Sequence, residues 1–196
     1  MPGFQSTAKK SNALSLVNSD QFKKTLVCIS VGIFSGLFIA CFKLNLGLSG
    51  HKAFLWMTPL LIARFRTGAK IGVSAGSMFA AITVFSLGAN LAGGLIGFPL
   101  IAVAAGVLDA VSNFIDKNKA SLFSMILLLA LAGAVANLIC LTKRMFLPTG
   151  ISPHNLFGVE GMALRALSYA FFGSLSGIVA TVTVKTVSRL KGEGKD

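Results

Sequence analysis

The side chains able to hold a small polar molecule gather in and around one stretch, Thr142–Arg165 (TKRMFLPTGISPHNLFGVEGMALR). It carries His154, one of two histidines, together with Asn155 and Glu160, one of six acids. Arg144 and Arg165 lie near its two ends, and Pro148 and Pro153 limit its freedom. Further polar residues fall at the same level of neighbouring apolar segments: Asn137 before the stretch, Tyr169 one turn after Arg165, Asn90 at the end of another segment, and His51 before a third. Imidazole, amide, phenol, carboxylate and guanidinium groups brought together bind ligands through charge-assisted hydrogen bonds. Polar side chains inside apolar segments are costly and mark candidate sites. The bland alternative is that each one satisfies a loop backbone or snorkels to an interface. Basic groups outnumber Glu160 here, so the site favours a ligand with some negative charge.

Other chemistries find no support. His51 and His154 stand apart from each other, and Cys28, Cys41 and Cys140 have no metal-ligand spacing. No phosphate-binding loop occurs, and no cofactor is expected. Gly72-Val73-Ser74-Ala75-Gly76 matches the nucleophile pattern G-x-S-x-G, but that motif needs a strand–turn–helix setting. Here it lies in an apolar segment with Ser77, Ala80 and Ala81, a composition suited to close helix packing. The chain reads as a non-enzyme.

The elements that must position these residues are apolar helices. Charged residues make up 12% of the chain and mean hydropathy is +0.79, against about 25% charged in soluble domains. The expected fold is an all-α integral membrane protein, a bundle of six transmembrane helices with the second short and kinked. Its segments are Thr25–Phe42, Ala53–Phe65, Ile71–Leu91, Leu95–Asn113, Leu122–Leu141 and Met162–Val184. Pro59 kinks the second, which is either a short span buried among the others or a re-entrant piece. Residues 1–19 read as a polar tail with Ser19 or Asp20 as the following cap, 20–188 as the membrane domain and 189–196 as a basic tail. Phe38-Ile39-Ala40-Cys41 brushes against a lipoprotein cleavage box, yet the first segment reads as a retained span.

The net charge of +12 does not indicate nucleic acid, because the basic residues form short clusters between apolar segments. With six spans, thirteen of the eighteen Lys and Arg fall on the side of the termini. The positive-inside rule then places both termini in the cytoplasm and the protein in the cytoplasmic (inner) membrane. Lys43–Lys52 and Thr142–Gly161 face outward. Asp109 and Asn113, one turn apart, are expected to pair with Arg64, Arg66 or Lys70 as structural contacts.

Gly32, Gly36 and Ala40 recur every fourth residue on the first segment. Such a stripe lets another helix approach closely, either within the bundle or on another subunit. With about 200 residues, six helices, outward binding loops and this stripe, the chain resembles the substrate-binding S components of energy-coupling factor (ECF) transporters. That resemblance implies uptake of a small polar, vitamin-like nutrient, with the stripe docking a membrane coupling subunit and with ATPase subunits on separate chains. An N-terminal Met-His, the metal-binding feature of the cobalt and nickel members, is absent: the chain starts Met1-Pro2-Gly3. The alternatives are a small accessory subunit of a larger membrane complex without its own ligand, and a stand-alone channel.

Overall fold

No proline or glycine interrupts the chain between Phe4 and Val31, and helix α1 runs unbroken from Phe4 to Cys41. The structure, a computed structural model, describes residues 4–42, 50–89, 91, 97–146 and 159–193, and side chains for 19–42, 50–89, 91, 97–142 and 162–190. The segment expected as a tail is therefore helical from Phe4. Asp20, expected as a cap, lies inside α1 and pairs with Lys24 one turn on, at 2.6 Å. Five further helices follow: α2 (His51–Thr67), α3 (Gly72–Ser86), α4 (Gly97–Asn118), α5 (Leu122–Phe146) and α6 (Val159–Glu193). The described residues contain no strand.

Four helical stretches are long and apolar enough to cross a membrane: Ser19–Cys41, Gly97–Asn118, Leu122–Thr142 and Met162–Leu190. The chain is an all-α, multi-pass membrane bundle in which α2 and α3 are the short members. At 1.5 Å per residue they reach about 26 and about 22 Å, against roughly 30 Å of hydrocarbon. α3 stops five residues before the expected Leu91. Gly88 takes a left-handed conformation (φ 69°), its N–H bonds to Phe85 O, and Ala89 N–H reaches back to Val84 O. This paired 5→2 and 6→1 closure is a Schellman motif, and it ends the helix. Conversely, α4 continues through Asp116 and Lys117, expected as loop, and α5 continues through Lys143 and Arg144.

The helices pack in a ring, α1–α3–α4–α5–α6–α2 and back to α1, with α2 also touching α3. Every helix except α2 exposes large hydrophobic side chains among the described residues. α2 is therefore the sequestered element, its Trp56, Met57, Leu60 and Leu61 buried in the common core with Leu108 and Leu129. It is a short helix buried among the others, as one of the two sequence readings expected.

Two glycine-lined interfaces stiffen the ring. A Cβ on Gly32 would strike the carbonyl oxygen of Gly76, and one on Gly36 would lie 2.7 Å from that of Ala80. The constant offset of these pairs makes α1 and α3 parallel. In α5 and α6, Gly133 faces Gly173 and Gly177 faces the Leu129 carbonyl, an antiparallel register. Small residues let backbones meet directly, which is what association in lipid requires. The stripe expected to dock another subunit is thus occupied within the chain. Gly32 and Gly36 are buried against α3 and Ala40 is half-buried. The face of α1 that is exposed carries Phe22, Phe34 and Phe38.

Candidate functional site

Polar side chains collect at the two ends of α2. The first end is built on Asn137, which is 2% exposed. Its Nδ2 donates to Tyr169 O at 2.7 Å and to Gly50 O at 3.3 Å. One amide on α5 thereby ties α6 to the start of α2. Gly50 has φ 85°, and a Cβ there would lie 2.9 Å from the Tyr169 ring. Only glycine combines this backbone with so close a ring. Tyr169 is buried, as the packing surface for the α2 start.

His51 and Lys52 open α2, both half-buried. The His51 ring stands edge-on to Phe172 with centroids 6.5 Å apart. Arg165, half-buried, lies one turn before Tyr169 on α6 and so belongs to the same end. Gly50 gives α2 no side-chain cap, and the first turn holds no acid. A helix N-terminus carries about half a positive charge, of the same sign as the basic side chains around it. Asp20, Asp109 and Asp116, the acids with described side chains, lie elsewhere: one on α1 and two at the opposite end. The arrangement joins a helix N-terminus to basic side chains, a combination suited to an anion.

Of the residues expected to bind ligand, His51, Asn137, Arg165 and Tyr169 are thus gathered at one end. Asn137 acts as a clamp, both its amide donors serving backbone carbonyls. Asn90, His154 and Asn155 lie outside the described residues. Arg144 and Glu160 lie in α5 and α6, with their side chains outside the described set.

The second end is built on Arg64, in the last turn of α2 and 1% exposed. Its Nη2 donates to Asn113 Oδ1 at 2.6 Å, and its Nη1 pairs with Asp116. The Asn113 amide donates to Lys70 O at 3.0 Å. Asp109, 4% exposed, takes a different partner from the one expected. Its Oδ1 accepts from Val73 N–H at 3.0 Å and its Oδ2 from Ser74 N–H at 2.8 Å. These are orphan donors in the first turn of α3, so α4 caps α3 in trans. Ser74 of the G-x-S-x-G match is held in this cap through its backbone N–H. Asp109, Ser112, Asn113 and Asp116 share one face of α4 by their spacing. That spacing is the sequence signal that places Asp116 on α4 with them.

No group of three or more His, Cys, Asp or Glu able to hold a metal occurs among the described residues. Compared with known proteins, the chain matches no family model, no curated protein and no solved structure.

Proposed function

We propose that this protein is a membrane-embedded binding subunit for uptake of a small polar solute bearing negative charge, held where α2 and α6 begin and α5 ends. One observation carries the reading. The start of α2, tied by Asn137 to α5 and α6, carries His51 and Lys52 with no acid in its first turn, and Arg165 lies one turn before the Tyr169 contact on α6. A carboxylate or phosphate group complements that field. Uptake driven by ATP would place the ATPase and coupling subunits on separate chains, because the sequence has no phosphate-binding loop. Those partners dock on a surface other than the Gly32/Gly36 stripe, which α3 occupies.

The test is thermal stability of the purified protein against a panel of small carboxylates and phosphates, each paired with a neutral analogue. A ligand at one hundred times its Kd stabilises by about 2.7 kcal/mol, a readily measured shift. The anionic member of a pair should stabilise, and Arg165→Ala or Lys52→Ala should weaken binding by roughly tenfold. If no anion is preferred over its neutral analogue, or both variants bind like the parent, the solute site is not here.

A further inference from the structure

We propose that the turn joining α4 and α5 binds the head group of an anionic phospholipid through Lys117 and Lys119, with the lipid chains running past Phe114 and Phe123. The inference rests on the membrane bundle and not on the solute site. Three residues, Lys119, Ala120 and Ser121, separate the two helices. Both helices are long and apolar enough to cross a membrane, so the turn lies at the membrane surface. Phe114, one turn before the end of α4, is 56% exposed, and Phe123, at the start of α5, is 76% exposed. In a membrane such side chains meet lipid, so lipid covers the flank of this turn. The charge of the turn selects which lipid.

Lys117 and Lys119 are exposed, and among the described residues neither has an ion pair. Asp116, the acid next to them, is held by Arg64. Asp109, the other acid on α4, is held by the N–H groups of Val73 and Ser74. Exposed Arg66 and Lys70 stand at the same end of the bundle, where Arg64 binds Asn113 and Asn113 binds Lys70 O. Lys119 also takes a left-handed backbone (φ 45°), the conformation that Gly68 and Gly88 adopt after α2 and α3. A side chain is unfavourable there, so the turn keeps an ammonium group where glycine suits the backbone better. Phe114 and Lys117, three apart, share a face of α4, which sets an ammonium group beyond an apolar surface. A phospholipid has the matching order, with phosphate outside and chains inside. Phosphatidylcholine carries a cation beside its phosphate, and that cation repels both lysines. Phosphatidylglycerol has neutral hydroxyls in its place and leaves the phosphate charge uncompensated. Basic residues at the ends of spans attract anionic lipids in this way.

The experiment places the full chain in nanodiscs of phosphatidylglycerol and phosphatidylcholine in equal parts, with a trace of either lipid carrying a diazirine on its acyl chain near the glycerol. Each lysine contributes roughly fivefold to attraction by an anionic lipid surface. The phosphatidylglycerol probe should therefore label peptides covering residues 114–123 roughly tenfold or more above the phosphatidylcholine probe. Raising salt from about 0.1 to about 1 M shortens the screening length from about 10 to about 3 Å and should remove most of that preference. Lys119→Gly keeps the left-handed turn and removes one charge, so it should lower the preference about fivefold without loss of thermal stability. Lys117→Gln added to it should bring the two probes level. Equal labelling of the parent protein, a preference that salt leaves unmoved, or one that survives in the double variant would each overturn the assignment. Should the double variant fail to fold, Lys119→Gly and the salt series decide alone.

Discussion

Asp109 provides the sharpest test of how this bundle is held together. Its two carboxylate oxygens accept from Val73 and Ser74 N–H at 3.0 and 2.8 Å, in a site where the residue is 4% exposed. Replacing it with alanine strands two backbone donors, one buried and one part-buried. Each unsatisfied donor costs about 1–3 kcal/mol, and loss of a negative charge at a helix N-terminus adds about 0.3–1 kcal/mol. Asp109→Ala should therefore destabilise by about 2–7 kcal/mol. Asparagine keeps one acceptor and caps helices nearly as well as aspartate, so Asp109→Asn should lose only about 1–2 kcal/mol. The assay is reversible unfolding in mixed micelles, with amide exchange at Val73 and Ser74 as the local readout. Both variants should speed exchange in the first turn of α3 and leave the α5/α6 interface near Gly133 protected. If Asp109→Asn is as damaging as Asp109→Ala, the carboxylate acts through its charge and not as a cap, and the reasoning fails.

Gly32→Leu and Gly173→Leu should lower stability by several kcal/mol, because a side chain at either position strikes a backbone carbonyl that cannot retreat. Gly106→Ala, where a Cβ meets nothing within 4 Å, should leave unfolding unchanged or slightly improved in the same assay. Asn137→Ala should cost about 1–3 kcal/mol and weaken anion binding as well, since it frees the α2 start; normal binding would detach the clamp from the site. Cysteines placed at Ser6 and Gly194 should resist an impermeant thiol reagent in intact cells, and labelling of either would refute cytoplasmic termini.

Hydropathy and charge clusters made the number and order of the helices legible, because lipid leaves few alternatives to a helix. Helix ends were less legible. Gly88 and Gly68 close their helices through left-handed backbone, but glycines elsewhere in the chain line helix contacts, and composition does not separate the two uses. Gly32 and Gly36 show the same ambiguity one level up. Spacing reveals that a stripe is made for contact but not which helix it meets, and here Gly76 and Ala80 of α3 are the complementary partners. The polar residues at the α2 start were visible as outliers in apolar sequence. That Asn137 serves backbone carbonyls depends on the α5/α6 register, which pairs Gly133 with Gly173 and so brings Tyr169 O beside it. The Asp109 cap was hidden for a related reason: its partners are backbone N–H groups, and a backbone partner leaves no mark in sequence.

The two kinds of contact divide the bundle mechanically. α1 with α3, and α5 with α6, meet backbone to backbone through glycine, and such contacts have no rotamers to rearrange. α2 bridges the two pairs through large side chains and is tied by polar contacts at its ends, Gly50 to Asn137 and Arg64 to Asn113 and Asp116. Between the ties, Pro59 removes one rung of its hydrogen-bond ladder. Local opening follows the weakest set of contacts, so α2 should open first. Amide exchange across Leu60–Arg64 should exceed that across Ala130–Ala134 and Phe172–Ser176, although α2 is the more buried element. Pro59→Ala restores the missing N–H and should narrow the difference severalfold. Exchange on α2 as slow as on α5, in the parent protein, would show that burial and not contact type governs opening here.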